Sequence, residues 1–588
     1  MASWTSWSEE RHVAARLSRF RLLEGLSGEV IAEIAAHARC FCLPAGQELI
    51  RAGRDRQALF FVVSGSFSVM VPDQRGVLES IATVGAGETV GEMSLMTDDP
   101  PSAALYALRD TEVLALDKCA FDRIIDRHPM LLRNLSVLLV ERLRRTTARA
   151  AKSHQARSIA LIGGEEAGCA KRLAHDLLPV LRGMGIAAHV VDDAAADQPA
   201  DWFHYLEASH DMVLYVAPAV GSAWARACER RVDRVVEIAC GPGAAIWPVP
   251  GARAAEPMAA LKRRDVVVLC EHAVADRCPA PVLGEGHVRH LIRRGSTADL
   301  ERFARFLAGR AIGIVLSGGG ARGFAHIGVM RALREHGVAI DAVGGTSMGA
   351  LIAACVAMEW PEDEIIARLR AAFVATNPLS DIALPTVAFF RGRKVDDLLA
   401  NNFGDRRIES LAIPYMCITS DLTSGVDVAH RSGPLAKTVR ASIALPGVLP
   451  PVTLDGHVHV DGAVMNNIPV EHMTRLTRGG VIAVDVSGDT ALLPDPGGRQ
   501  GPGILSVLVR TGTVGNEWQR REAHRLAACL FEPQVADVGF RDWQAFDRAV
   551  ARGYDCARRR LDADIGLLRR LGVSWSDAAT IDEAASFG

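Results

Sequence analysis

Twice in the last half of this chain an apolar run that reads as a buried strand empties into a glycine-rich turn and then into a helix-forming stretch. Ile312 to Leu316 leads into Ser317-Gly318-Gly319-Gly320-Ala321-Arg322-Gly323, followed by an amphipathic stretch from Phe324 to Glu335. Ile340 to Val343 leads into Gly345-Thr346-Ser347-Met348-Gly349, followed by a helix-forming stretch from Ala350 to Met358. In the first turn, glycines let backbone N–H groups point into a shared space where they can face developing negative charge. In the second, a tight Gly-x-Ser-x-Gly turn places the Ser347 hydroxyl at a helix N-terminus. A third segment, Asp461-Gly462-Ala463, adds a carboxylate. Together they point to ester hydrolysis by a serine that works with an aspartate.

That chemistry needs a nucleophile, a base and an oxyanion site. Serine is a weak nucleophile at neutral pH, so a neighbouring group must accept its proton as the carbonyl is attacked. Asp461 is the candidate base, and partial burial beside the serine would raise its pKa and ease proton transfer. Backbone N–H groups of Gly318 to Gly320, with Arg322 supporting the loop and Gly323 closing it, are the candidate oxyanion site. Other readings stand beside these. Asp461-Gly462 is also a favoured hairpin sequence. His326 follows the glycine loop closely and is expected to be structural on the first helix. The chain order Ser, Asp, His also fits a triad completed by His472 or His524.

With 588 residues and 49% hydrophobic content the chain can bury several cores, and it is not a disordered protein. Its 66 basic and 69 acidic residues leave a net charge of -3, so no global basic field argues for nucleic acid. Twelve cysteines without a Cys-x-x-Cys pair match neither a zinc site nor a disulfide framework. Reduced, buried thiols in a cytoplasmic setting are expected instead. Neither a secretory signal nor a membrane-spanning run is expected.

The pattern of elements divides the chain into three. Short alternating segments such as Leu59-Phe60-Phe61-Val62-Val63 and Glu112-Val113-Leu114-Ala115-Leu116, with glycine turns and flanking helical stretches, predict a β-rich unit over residues 1–155. From Ser158, strands alternate with helices and predict an α/β spacer over 156–310. Residues 311–588 form a second α/β unit that holds the three segments above.

The first unit resembles the cyclic-nucleotide-binding domain family at Val63-Ser64-Gly65 and at Gly87-Glu88-Thr89-Val90-Gly91-Glu92-Met93-Ser94-Leu95. The resemblance implies a β-roll in which Glu92 would contact a ribose, and Ser102 would lie in the phosphate-binding segment. That segment reads Pro100-Pro101-Ser102-Ala103, with Pro101 where the family has the arginine that pairs with the cyclic phosphate. The strongest charge-assisted contact is missing. A module that docks on the enzyme or a partner is expected in place of a nucleotide sensor.

The last unit resembles the patatin-like phospholipases. The resemblance rests on Gly318 to Gly323 followed by His326-Ile327-Gly328-Val329, on Gly344 to Gly349, on Ala441 to Val452 and on Asp461-Gly462-Ala463. The order of β-roll, α/β spacer and patatin-like hydrolase domain is similar to the bacterial relatives of neuropathy target esterase. It implies a multidomain lysophospholipase-like enzyme with a Ser347–Asp461 dyad and no histidine, releasing fatty acid from phospholipids or lysophospholipids. The alternative class is a sensing or scaffolding protein with an inactive hydrolase domain. Phe389-Phe390-Arg391-Gly392-Arg393-Lys394 combines apolar and basic groups suited to peripheral, reversible membrane contact. No metal motif or dinucleotide fingerprint is evident, and Gly163-Gly164-Glu165-Glu166 lacks the ending of a P-loop, so no cofactor is expected.

Overall fold

The computed structural model describes residues 10–53, 58–72, 78–97, 99–147, 157–164, 166, 168–240, 263–270, 288–384, 386–487, 507, 510 and 516–572. They fall into two compact units, the first within residues 10–267 and the second within 268–572.

The first unit begins with two antiparallel sheets. One runs Arg39–Leu43, Thr111–Asp117, Ala58–Ser64, Thr89–Val90, and the other Glu48–Ile50, Ala104–Ala107, Ser66–Pro72, Leu78–Gly85. Period-two alternation decides what each strand buries. Phe60 and Val62 face the inside of the roll with Phe67, Leu105 and Val113. Leu59 and Phe61 face the other way, against Phe20, Ile34, Phe121 and Leu135 of the flanking helices. Gly65 turns the chain between two strands at φ +91°, and a side chain there would strike Thr111.

Four parallel strands follow in the spatial order Ala188–Val191, Met212–Ala217, Ser158–Ile162, Arg234–Cys240. Ser158–Ile162 is buried along its whole length, which is what central parallel strands covered on both faces require. The roll is bonded to this sheet through Arg109, which pairs with Glu207 at 2.7 Å and Asp233 at 3.4 Å. Beside it, Ser66 Oγ donates to Asp233 at 2.8 Å.

The second unit is a mixed sheet in the order Val452–Leu454, His457–Asp461, Tyr415–Asp421, Ala342–Thr346, Gly313–Leu316, Val481–Val484, Cys529–Phe531. The strands from Tyr415 through Cys529 in that order are parallel, and His457–Asp461 is antiparallel to Tyr415–Asp421. Arg305 forks onto both oxygens of Asp341, whose Oδ2 also accepts the Ile312 N–H, so one buried carboxylate fixes the start of two neighbouring strands. Register then does the positioning. Thr346 lies beside Ile418 and Thr419 beside Asp461, so the chain leaves the Ala342–Thr346 strand level with Asp461 across the strand between them.

Ala342–Thr346 takes in Gly345 and Thr346, which the sequence reading assigns to the turn, together with Gly344 before them. The reason is crowding. A Cβ on Gly344 would lie 2.4 Å from the Met416 side chain, and one on Gly345 2.4 Å from the Leu316 carbonyl. Glycine here is a packing requirement of the strand.

Candidate active site

Ser347 sits between the end of that strand and the helix Met348–Ala357. Its φ of +55° and ψ of -125° are a conformation that non-glycine residues avoid, at a cost of about 1–3 kcal/mol. The surroundings hold it there. Its N–H donates to Ser442 Oγ at 2.9 Å, and Ser442 Oγ donates in turn to the Ile418 carbonyl at 2.6 Å. Thr346 Oγ1 donates to the Asn466 carbonyl at 2.9 Å. Gly349 permits the turn to close, since a Cβ there would lie 2.1 Å from the Leu316 carbonyl.

Ser347 Oγ donates a 2.7 Å hydrogen bond to Asp461 Oδ2. Both side chains are buried. Asp461 Oδ1 accepts the Ala463 N–H at 2.9 Å, and the Asp461 N–H donates to the Ala444 carbonyl at 2.9 Å. Asp461-Gly462 therefore opens a short 3-10 turn, Gly462–Val464, capped by the aspartate itself, in place of a hairpin. Burial pushes the Asp461 carboxyl up to about 7, against the opposing pull of the Ala463 N–H and the Ser347 hydroxyl.

The glycine loop lies alongside. A Cβ on Gly318 would lie 2.9 Å from Ser347 Cβ, so only glycine lets the loop approach the hydroxyl this closely. The Gly318 N–H, one of the expected oxyanion donors, is already given to Asn467 Oδ1 at 2.9 Å. The N–H groups of Gly319 and Gly320 meet no hydrogen-bond acceptor among the described residues. Arg322 ties the loop down, with Nε on the Val538 carbonyl at 2.8 Å and Nη1 on the Ser487 carbonyl. Gly323 packs against the Met348 side chain.

The histidines lie elsewhere. His326 is fully buried, with Nε2 2.9 Å from the Ser317 carbonyl, and burial lowers its pKa to about 4, so it is a neutral strut under the glycine loop. His472 Nε2 bonds Asp427 at 2.7 Å, and His524 lies 3.8 Å from Glu532. Among the described residues neither bonds Ser347 or Asp461, so neither completes a triad in this geometry. Asp427, Glu471 and His472 bring their ligand atoms within 4.8 Å of one another, but the group is internally bonded, with Asn466 Nδ2 donating to both acids. In the roll, Glu92 is buried at the start of the helix Glu92–Thr97, whereas Ser102 is exposed and the Pro101 carbonyl accepts the Gly53 N–H at 2.9 Å.

Two residues that position the site were not singled out in the sequence. Ser442 lies inside the Ala441–Val452 block, and Asn467 follows Asp461 by six positions in the run Asn466-Asn467-Ile468-Pro469. Their signal was present as motif context, but nothing in that context tells a hydroxyl that holds the serine from one that merely packs.

A family model described as patatin-like phospholipase matches residues 314–474, from the strand before the glycine loop to the helix carrying His472. The C-terminal half carries a patatin-like domain. A second family model, the cyclic nucleotide-binding domain, matches residues 41–128, the N-terminal roll. The chain is 29% identical to an NTE family protein of Mycobacterium tuberculosis over 93% of this chain and 96% of that one. It is 25% identical to a lysophospholipase of Aspergillus fumigatus over 94% of this chain and 44% of that one. It is 26% identical to the neuropathy target esterase of Drosophila melanogaster over 76% of this chain and 35% of that one. The chain is thus a multidomain patatin-like relative of the NTE proteins, with an N-terminal cyclic-nucleotide-binding-like roll. No helix among the described residues is long and apolar enough to cross a membrane.

Proposed function

We propose that this patatin-like protein hydrolyses the carboxylester of phospholipids, lysophospholipids above all, and releases a fatty acid through a Ser347–Asp461 dyad. The observation that carries this reading is the 2.7 Å bond between a strained, buried serine hydroxyl and a carboxylate raised to about 7. The relative named a lysophospholipase supplies the substrate class.

As Ser347 Oγ attacks the ester carbonyl carbon, its proton passes to Asp461 Oδ2, and the free N–H groups of Gly319 and Gly320 receive the oxyanion. Collapse breaks the C–O bond, and the leaving alcohol of the glycerophospholipid takes the proton from Asp461. Water then attacks the acyl-serine, again giving its proton to Asp461, and the fatty acid departs as Ser347 regains its hydrogen. A carboxyl titrating near 7 can hold the proton in one step and return it in the next. Ala463 N–H keeps Oδ1 occupied and so presents Oδ2 to the serine.

The N-terminal roll is proposed as a docked module without a cyclic-phosphate site. Pro101 supports this, as do the Arg109 ion pairs that bind the roll to the parallel sheet.

The test is fatty-acid release from lysophosphatidylcholine micelles by the full chain beside Ser347→Ala and Asp461→Ala. Turnover by the wild type with both variants at background is expected. A silent wild type would remove the substrate class, and near-normal activity of Asp461→Ala would remove the proposed base.

A further inference from the structure

Between the π-helical turn Arg370–Ala375 and the helix Arg393–Phe403 the chain forms a small hairpin. Ile382 bridges Phe390 antiparallel, Ala383 N–H donates to the Phe389 carbonyl at 2.9 Å, and Arg391 N–H donates to the Asp381 carbonyl at 2.9 Å. One end is rooted. Phe390 is buried in the main core, and the Phe389 and Phe390 N–H groups donate to the Gly447 and Val448 carbonyls at 2.8 and 3.1 Å. Three residues before Gly447 in the same loop lies Ala444, whose carbonyl accepts the Asp461 N–H.

The side chains on the outside of the hairpin, from Ile382 opposite the root to Leu384 and Val387 beyond it, are apolar and bare. Ile382, Leu384 and Val387 are 74, 81 and 65% exposed, within six residues of one another. Large aliphatics this exposed and this close together mark an interaction site in a folded protein. Arg391 and Arg393 flank them, both exposed and neither in an ion pair among the described residues. Lys394 is held by Ser380 Oγ at 2.7 Å, and the nearby Asp396 is taken by Arg440 at 2.7 Å.

We infer that this hairpin is the element by which the enzyme seats itself on an anionic phospholipid surface. Ile382, Leu384 and Val387 enter the acyl boundary while Arg391 and Arg393 meet lipid phosphates. A rooted hairpin with exposed aliphatic side chains along it and guanidinium groups beside them matches the layering of a lipid interface, apolar inside and phosphate outside. An apolar protein groove would leave those guanidinium groups without their counter-charge. Because the root is hydrogen-bonded to the segment that holds Asp461, docking here sets the site beside the layer that contains its substrate. The inference rests on the lipid-ester reading above, and the two can fail separately.

The experiment is co-sedimentation of the full chain with vesicles of phosphatidylcholine containing phosphatidylglycerol, or of phosphatidylcholine alone. It is run beside hydrolysis of a water-soluble short-chain ester and beside thermal unfolding. The variants are Ile382→Ser/Leu384→Ser/Val387→Ser and Arg391→Glu/Arg393→Glu. The aliphatic variant is expected to lose vesicle binding by at least about 10-fold, with unfolding temperature and soluble-ester turnover unchanged. The charge variant is expected to lose the preference for phosphatidylglycerol. Wild type that fails to sediment with either vesicle, or an aliphatic variant that binds as wild type does, overturns the inference. Wild type that binds through the hairpin yet hydrolyses neither ester nor phospholipid leaves the docking surface standing and removes the hydrolase reading.

Discussion

Ser347 Oγ and Asp461 Oδ2 are 2.7 Å apart and bonded directly, without a bridging histidine, although 114 positions separate them in the chain. A serine that gives its proton directly to a buried carboxylate depends on that carboxylate being ionised before attack and protonated during it. The energetics of Asp461 therefore govern both rate and stability.

For rate, kcat/KM follows the fraction of free enzyme with Asp461 ionised. Since burial places that carboxyl near 7, kcat/KM on a soluble ester should rise about tenfold per pH unit below 7 and level off above it. A profile already flat from pH 5 would mean that a different group is the base.

For stability, the sign runs against the usual carboxylate. The folded carboxyl titrates near 7 and an unfolded aspartate near 4, so between those values the folded state holds a proton that the unfolded state has released. The penalty is absent below about pH 4, grows as pH rises, and is fully present above 7, at roughly 4 kcal/mol. Asp461→Asn keeps an acceptor for Ala463 and removes the buried charge. It should abolish turnover yet unfold at a higher temperature than wild type at pH 8, with the gap closing toward pH 4. Calorimetry at the two pH values decides it, and a lower midpoint at pH 8 would contradict the account.

Asn467 acts on the glycine loop. Asn467→Ala leaves the Gly318 N–H without its buried acceptor and frees the loop to shift against Ser347. The expected result is a loss of roughly 1–3 kcal/mol in stability and about 100-fold in kcat, with KM little changed. Steady-state kinetics beside denaturant unfolding would show both, and an unchanged kcat would mean that the loop is held by Arg322 alone.

In the roll, calorimetric titration with cyclic AMP or cyclic GMP should give no binding heat at millimolar ligand. Pro101 has no guanidinium to offer the cyclic phosphate. Saturable binding by wild type would show that Glu92 and Ser102 suffice without it.

Arg109 holds the roll to the parallel sheet by burying its charge between Glu207 and Asp233. Arg109→Ala should cost about 3–5 kcal/mol by leaving two carboxylates partly buried without a counter-charge. An unfolding curve that splits or moves down by several degrees would be the readout, and an unshifted curve would mean that the contact contributes nothing to stability.

Local pattern carried much of the fold because periodicity is a property of adjacent residues. The alternation from Leu59 to Val62 declares a strand with two apolar faces, and the structure gives those faces to two different cores. The stretch ending at Glu335 reads as a helix and is one. Where reading by punctuation failed, a distant atom was the cause. Gly345 reads as a turn residue but lies in a strand, where it is glycine because the Leu316 carbonyl leaves no room for a side chain.

By itself the chain determined which groups were available: a hydroxyl in a Gly-x-Ser-x-Gly turn, a carboxylate before glycine, a glycine loop, and a roll lacking its phosphate-binding arginine. Tertiary structure decided what those groups do to one another. Sheet register set Asp461 level with the end of the Ala342–Thr346 strand, burial raised its pKa, and Asn467 claimed Gly318 while leaving Gly319 and Gly320 open. His472 and His524 could be set aside only once their partners, Asp427 and Glu532, were seen. The physical reason is the same throughout: residue type and spacing act through neighbours along the chain, whereas distance, desolvation and the choice of hydrogen-bond partner arise only when remote segments pack.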